Sequence, residues 1–484
     1  MKKFKLFPLL LLVCLIFAIA SPTALALDDP QLNAQRALIA DLDSGRILYA
    51  KNMDQEASPA SLTKIMTVLL AVESIERGEH SLEETVAAKN DCQTGMDTDS
   101  SNVGLVSGEE MSFQDLLYCA MISSGNDACN VIASYMAGDI PTFVGWMNQR
   151  AAELGCTATT FVDPNGLSSE DKTTAYDLYL ITKEAINHPN FMTICNTTEY
   201  TVPATNVNET RELHNSNALI SSQSIYGGSK YLYEYAAGVK TGYTRAAGYC
   251  LISTAEKEGT RLLAVIMGCD GQYNSDLVDE WKNFSDSIAA YNWVFDNFTY
   301  QDILITEDPI QKVSVELAKD GAQAILHPQT DFSALLPNDI DRDSVSTQVT
   351  VYEDKLKAPL KAGTVLGEAQ VLIDGQSYGT VKLVNGSEIE LARGEYFKQQ
   401  LKAVFSKGWV IALIITVVLL AAVYLILVAR YRKARQEHLR RQARLTQQRR
   451  ADQEQSAHRP QTPPAPSGSG DDFLSDIDWD ELLK

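Results

Sequence analysis

The sequence predicts an α+β domain, a smaller all-β domain after it and one membrane-spanning helix near the C-terminus. Three observations carry this reading. Strand-like runs rich in β-branched and aromatic residues stand at both ends of a helical middle between about residues 30 and 295, as when a sheet built from chain ends carries its helices between them. Short alternating runs with turn residues follow after residue 300. Trp409 to Ala429 is an uncharged apolar stretch, and at about 1.5 Å per residue it is long enough to cross a bilayer core.

The elements follow in order. Residues 1–26 combine a basic start, an apolar run and the small-residue site Ala24-Leu25-Ala26, which reads as a secretory signal cleaved after Ala26. "RALIADLDSGRILYAKN" is two strands around the turn Asp43-Ser44-Gly45. Behind Pro59, the apolar residues Leu62, Ile65, Met66, Leu69, Leu70 and Val72 cover most of a helix that Gly78 stops, and a helix apolar nearly all round belongs inside a large domain. Residues 112–136 read as helix broken around "SSGND", and 141–155 as an amphipathic helix ending at Gly155. "GVKTGYT", "GYCLISTAE" and "RLLAVIMGC" form an antiparallel meander that closes the domain at about residue 295. The β-domain spans 300–395, with "QKVSVELA", "VSTQVTVYE" and "AQVLIDGQSYGTVKLV" as strands and Asp374-Gly375 as a hairpin signal. Residues 396–408 form an amphipathic connector into the span at 409–429. The remainder, 430–484, is first basic, then a Pro- and Ser-rich linker, and ends in "DDFLSDIDWDELLK".

Charge and composition narrow the function. The 62 acidic residues outnumber the 41 Lys and Arg to give a net charge of -21, and the basic residues concentrate beside the span, where they mark the cytoplasmic side. Residues 27–408 are therefore placed outside the cell and are acidic, which excludes nucleic acid as a partner. Of eight cysteines, Cys14 is in the signal and seven remain outside. The sequence holds no Cys-x-x-Cys and no His-x-x-x-His pair, so neither a metal nor another cofactor is predicted, and the thiols read as buried free core residues, with a disulfide among them left open. The acidic end, with Phe473, Ile477, Trp479 and Leu482 among its carboxylates, has the composition of a peptide that folds on a basic groove of a cytoplasmic partner.

The chemistry-bearing motifs are short, so order and company decide. Ser-x-x-Lys occurs twice, at Ser61/Lys64 and at Ser169/Lys172. The second lies in the loop-like "LSSEDKTT" and reads as solvated surface. The first is followed by Ser124-Gly125-Asn126 and then by Lys240-Thr241-Gly242. Ser100-Ser101-Asn102 competes with Ser124-Gly125-Asn126 but sits in a loop rather than between apolar helical stretches. A serine hydroxyl needs a base to take its proton, and residues three apart on a helix share a face, so Lys64 can reach Ser61. Burial and a second cation such as Lys240 favour the neutral lysine that a base requires. Ser124 could relay the proton to the leaving amine, Asn126 could hold the substrate amide, and Lys240 with Thr241 could bind a terminal carboxylate. Gly242 lets the strand come close to substrate.

Ser-x-x-Lys, Ser-x-Asn and Lys-Thr-Gly in this order form the signature of penicillin-binding proteins and serine β-lactamases. With "RALIADLDSGRILYAKNMDQEASPASLTKIMT", "MISSGNDACNVIA", "GVKTGYTRAAGYCLISTA" and "LKAGTVLGEAQVLIDGQSYGTVKLV", the chain resembles the low-molecular-mass penicillin-binding proteins that are D-alanyl-D-alanine carboxypeptidases over about residues 30–395. The resemblance implies a penicillin-binding/β-lactamase-like fold, an antiparallel sheet with a helical cluster, and a serine peptidase that removes the terminal D-alanine from peptidoglycan stem pentapeptides through an acyl-enzyme. It also implies that β-lactams inhibit by acylating Ser61, and that the backbone N–H groups of Ser61 and Tyr243 form the oxyanion hole. Asn165 stands where relatives often have His before Gly-Leu, Tyr243 where some have His, and a full span replaces the common amphipathic anchor. Three alternatives compete. A class A β-lactamase would need a Glu with Asn four residues on, and no Glu between Ser61 and Lys240 has one. A penicillin-binding receptor would need a switch to act through one helix. An endopeptidase or transpeptidase would share the catalytic set and differ in cleft shape.

Overall fold

The computed structural model describes residues 27–270, 280–340 and 344–456. The predicted signal and the acidic C-terminal end lie outside the described residues. The chain divides into two compact units, one running to Glu390 and the other made of Leu317–Asp320 and the residues from Leu391 onward.

In the first unit the α+β expectation holds. β1 (Arg36–Asp41) and β2 (Ile47–Lys51) form the N-terminal hairpin, while β3 (Ala236–Thr244), β4 (Gly248–Lys257) and β5 (Thr260–Cys269) form the meander. They join in one antiparallel sheet of order β2-β1-β5-β4-β3. The first strand thus pairs with the last, Leu38 opposite Val265, and β3 is left as an edge. Residues alternate between two cores, as the pleat requires. Val239, Cys250, Ile252, Leu263 and Val265 pack against the helical middle. Tyr249, Leu251, Leu262, Ala264 and Ile266 pack against Phe284, Tyr291 and Val294 of the helix that follows the sheet, Lys282–Asn297.

The helical middle consists of α1 (Lys64–Glu76), α2 (Phe113–Met121), α3 (Asn126–Ala137), α4 (Ile140–Glu153), α5 (Ala175–Ala185) and α6 (Pro189–Asn196). Every residue of α1 from Lys64 to Val72 is buried, as its apolar circumference predicts. The break in residues 112–136 is real: α2 opens on Ser112, whose hydroxyl accepts the Asp115 N–H, and α3 restarts at Asn126. Gly155, at φ +87°, ends α4 in the left-handed conformation that glycine adopts without strain.

Strands Gln311–Glu316, Gln323–Pro328, Val345–Val351, Leu356–Lys357, Val365–Ile373 and Gln376–Asn385 make a six-stranded sheet, with Phe298–Leu304 and Phe332–Pro337 as a separate pair. Asp374 and Gly375 both have positive φ, the geometry of a two-residue hairpin turn. This β-region joins the N-terminal hairpin through Arg46, whose guanidinium lies 3.9 Å from the Tyr378 ring centroid and donates to the Leu335 carbonyl at 3.2 Å. Tyr300 donates to Asp41 at 3.1 Å from the same side.

The second unit holds two helices, Arg393–Phe405 and Gly408–Ser456. The apolar part of the latter is long and apolar enough to cross a membrane. Cys92, Cys119, Cys129, Cys156, Cys195, Cys250 and Cys269 are all free and buried.

Candidate active site

Ser61 does not sit on the α-helix itself. Ala60–Thr63 forms a 3-10 turn and α1 begins at Lys64; because residues i and i+3 eclipse in a 3-10 turn, the lysine is brought directly over the serine. Lys64 Nζ lies 2.8 Å from Ser61 Oγ, 2.6 Å from Asn126 Oδ1 and 2.7 Å from the Asn165 carbonyl oxygen. Two of these three partners are carbonyl oxygens, which only accept. A neutral amine has two hydrogens and one lone pair, so with both hydrogens on Asn126 and Asn165 the lone pair is left for the Ser61 hydroxyl. Lys64 is wholly buried, and that burial holds its pKa below the ordinary lysine value, against the pull of Asp163, Asp127 and Asp171.

Ser124 and Asn126 come from the junction between α2 and α3. Ser124 is buried and has φ +59°, and Ala60, next to Ser61, has φ +49°; left-handed non-glycine residues at a cleft are stored strain. The turn is fixed by Asp127, whose buried carboxylate accepts the N–H groups of Val103, Leu105 and Ala128. Ser100-Ser101-Asn102 is a loop, as the sequence suggests, yet it adjoins the site, because the Ser101 carbonyl accepts the Asn126 N–H at 3.0 Å.

Lys240, Thr241, Gly242 and Tyr243 lie on β3, the edge strand of the sheet, where the first three are buried and Tyr243 is exposed. Lys240 and Gly242 face the helices, opposite Ile252 and Cys250, while Thr241 and Tyr243 face the other side, opposite Leu251 and Tyr249. A Cβ added at Gly242 would come within 3.3 Å of the Ser61 nitrogen, the Leu62 nitrogen and Leu62 Cγ, so the strand passes against the backbone of Ser61 itself. Lys240 is also buried, but among the described residues it donates only to the Thr241 carbonyl, at 3.1 Å. Burial first, and the Lys64 charge second, hold its pKa well below the ordinary value. Thr241 shares a 2.6 Å hydrogen bond with Ser216. Tyr243 is 43% exposed and stacks on Tyr249, with ring centroids 4.2 Å apart.

The structure therefore brings Ser61, Lys64 and Asn126 into direct contact, with Gly242 against Ser61. It sets Ser169 and Lys172 apart: Lys172 is exposed and pairs with Glu56. Sequence reasoning missed the Asn165 carbonyl as a partner of Lys64 and Ser216 as the support of Thr241. The turn signal in "DPNGL" marks the first, since Asp163 accepts the Asn165, Gly166 and Ser168 N–H groups. Elsewhere, Glu73, Glu184 and His188 bring possible metal ligand atoms within 4.8 Å of one another, but Arg150 already donates to both glutamates.

Comparison with known proteins identifies the family of the chain. Residues 23–271 match the family described as D-alanyl-D-alanine carboxypeptidase, and residues 298–391 match the C-terminal domain of penicillin-binding protein 5. The chain is similar to the D-alanyl-D-alanine carboxypeptidase DacF of Bacillus subtilis, 29% identical over 76% of this chain and 90% of the relative. It is also similar to DacC of Escherichia coli, 30% identical over 76% of this chain and 88% of the relative. The crystal structure of penicillin binding protein 5 from Haemophilus influenzae superposes with a TM-score of 0.58 at 26% identity, covering 75% of this chain and 99% of that one. With more than half of the sequence matched to one family and the same fold in a solved relative, the chain belongs to the D-alanyl-D-alanine carboxypeptidase family of penicillin-binding proteins.

Proposed function

We infer that the protein is a serine-type D-Ala-D-Ala carboxypeptidase that trims the terminal D-alanine from peptidoglycan stem pentapeptides and is acylated by penicillins. The observation that carries this is Lys64, buried, with two carbonyl acceptors and Ser61 at 2.8 Å. In this reading Lys64 takes the Ser61 proton as Oγ attacks the scissile carbonyl. The N–H groups of Ser61 and Tyr243 hold the oxyanion. As the C–N bond breaks, the proton returns through Ser124 to the D-alanine amine. Water then attacks the ester, again with Lys64 as base, and Ser61 is regenerated. Lys240 and Thr241 receive the terminal carboxylate, Asn126 the substrate amide. Lys240 has donor capacity beyond its single bond to Thr241, and an arriving carboxylate restores its charged form.

The reading places the 27–295 catalytic domain and the 300–395 β-domain outside the membrane. Arg393–Phe405 carries exposed Phe397, Leu401, Val404 and Phe405 beside Lys398 and Lys402, which suits a surface helix lying on lipid. Residues 409–429 span the bilayer, and the arginines from Arg430 to Arg450 face the cytoplasm. There the acidic end would meet a basic partner.

The test is intact-mass analysis of the full-length protein in detergent, with benzylpenicillin and with a peptide ending in D-Ala-D-Ala. The reading requires a penicilloyl adduct that Ser61→Ala removes, together with catalytic release of D-alanine. An adduct without peptide turnover would overturn the carboxypeptidase assignment.

A further inference from the structure

The turn that offers the Asn165 carbonyl to Lys64 is held by two aspartates in unequal circumstances. Asp163 accepts three backbone N–H groups, from Asn165 at 2.9 Å, Gly166 at 2.5 Å and Ser168 at 2.7 Å. Asp171 is almost wholly buried. Its Oδ1 accepts the Val162 N–H at 2.7 Å, while its buried Oδ2 meets no donor. The Asp163 carboxyl lies within hydrogen-bonding reach of the Asp171 side chain. A buried carboxylate oxygen facing a second carboxylate is satisfied only if one of the two carries a proton, and Asp163 is the one already committed as an acceptor.

The segment bearing Asp171 is tied in on both sides. Thr160 and Lys172 exchange N–H···O bonds of 2.9 Å, and Ala57 and Thr173 exchange bonds of 2.8 and 2.9 Å. At the other end the turn touches the nucleophile's neighbour, since a Cβ at Gly166 would lie 1.8 Å from the Ala60 oxygen. Displacing this turn therefore moves both the residue before Ser61 and the acceptor of Lys64.

We propose that Asp171 is a positioning residue for the Ser61–Lys64 pair: a proton it shares with Asp163 locks the turn whose carbonyl receives Lys64. The inference rests on the reading of Ser61 and Lys64 as nucleophile and base. Burial first, then the Asp163 charge, push Asp171 up to about 7, against the pull of the Val162 and Asp163 backbone N–H groups. Of the other charged groups, Lys64 on α1 interacts with Asp171, and Lys64 is itself faced by Asp127 and Cys129 on α3 and by Lys240 on β3. Glu170 points outward, as does Lys172, which pairs with Glu56. The Cys129 thiol, pushed up to about 12 by burial, stays neutral. Loss of the Asp171 proton acts twice in one direction. It sets two anions against each other under the turn, and it adds a negative charge that favours the ammonium form of Lys64 over the base.

The experiment is the rate of acylation of the full-length protein in detergent by a fluorescent penicillin, wild type against Asp171→Asn, across neutral and alkaline pH. Asparagine keeps the acceptor for Val162 and donates an N–H toward Asp163 at every pH. The ratio of variant to wild-type rate is expected to stay near unity at about pH 6 and to rise about tenfold by about pH 9, the change that one pKa unit's worth of energy gives. A ratio that is flat, or below unity throughout, overturns the proposal, because a mere packing role has no such pH dependence. Should the variant not fold, the wild type carries the test: its acylation rate must decline on the alkaline side of about 7, and a rate climbing steadily to about pH 9 overturns the proposal. A wild type that acquires no adduct at any pH removes the reading of Ser61 and this proposal with it, whereas a flat ratio removes this proposal alone.

Discussion

Lys64 and Lys240 are both buried within the same cleft, and they differ in what surrounds the amine. Lys64 has three partners, two of which can only accept; Lys240 has one, the carbonyl of its own neighbour. A buried amine whose hydrogens are all placed is finished as a structure and has only its lone pair to offer. One with a single bond is unfinished, and an anion completes it. Chemical identity is thus shared, and in the proposed mechanism the count of acceptors separates a base from a receptor.

The largest expected effect breaks that comparison most directly. Lys64→Arg puts a group that does not deprotonate in place of the base, and D-alanine release should fall by about 10^3- to 10^4-fold. Lys240→Arg keeps a cation for the carboxylate and should cost about tenfold or less. Steady-state rates on a D-Ala-D-Ala peptide decide this, and equal losses would mean that the two lysines do not divide the work. Next in size, Lys240→Gln or a substrate with a C-terminal amide should each cost about 10- to 100-fold through KM rather than kcat, as one hydrogen bond to a charge is lost. The two losses should not multiply.

The third prediction concerns pH. The base form of Lys64 is the deprotonated one, so activity should rise as pH rises through its lowered pKa, and it is lost below. With substrate bound, when its carboxylate has restored the Lys240 charge, Lys240→Gln takes away a neighbouring cation, which makes Lys64 easier to protonate and should move the acid limb of kcat upward by about one pH unit. A limb that stays in place would show that burial alone sets the Lys64 pKa. Smallest is Tyr243→Ala, which removes a half-exposed ring while leaving the backbone N–H; acylation should change by less than about threefold. A larger loss would move Tyr243's side chain, and not only its N–H, into the recognition of substrate.

Much of this was legible from side-chain patterns. The strand hairpin, the buried α1, the closing meander and the three motifs all announce themselves through residue type and spacing, and the Asp374-Gly375 turn takes the backbone its sequence demands. What was hidden has one physical character. Backbone carbonyls do their work without leaving a residue signature, so neither the Asn165 oxygen on Lys64 nor the Ser101 oxygen on Asn126 could be read from composition. The 3-10 geometry at Ala60–Thr63 was hidden for a related reason: apolar spacing fits both helix types over one turn. Ser216 beneath Thr241 and Asp171 against Asp163 are pairings set by folding, between segments whose local sequences look like ordinary loops.

The seven buried thiols carry a consequence for how the protein is made. In the proposed topology they are exported, yet none is bonded to another. Burial pushes Cys250 up to about 11 and Cys156 and Cys195 up to about 12, so in the native state they are poor thiolates and inert to exchange. An oxidant can reach them only while the chain is still open. Maturation is then a race between collapse and oxidation, and the odd number of thiols means that a chain which loses it by internal pairing always keeps one sulfur free to join another molecule.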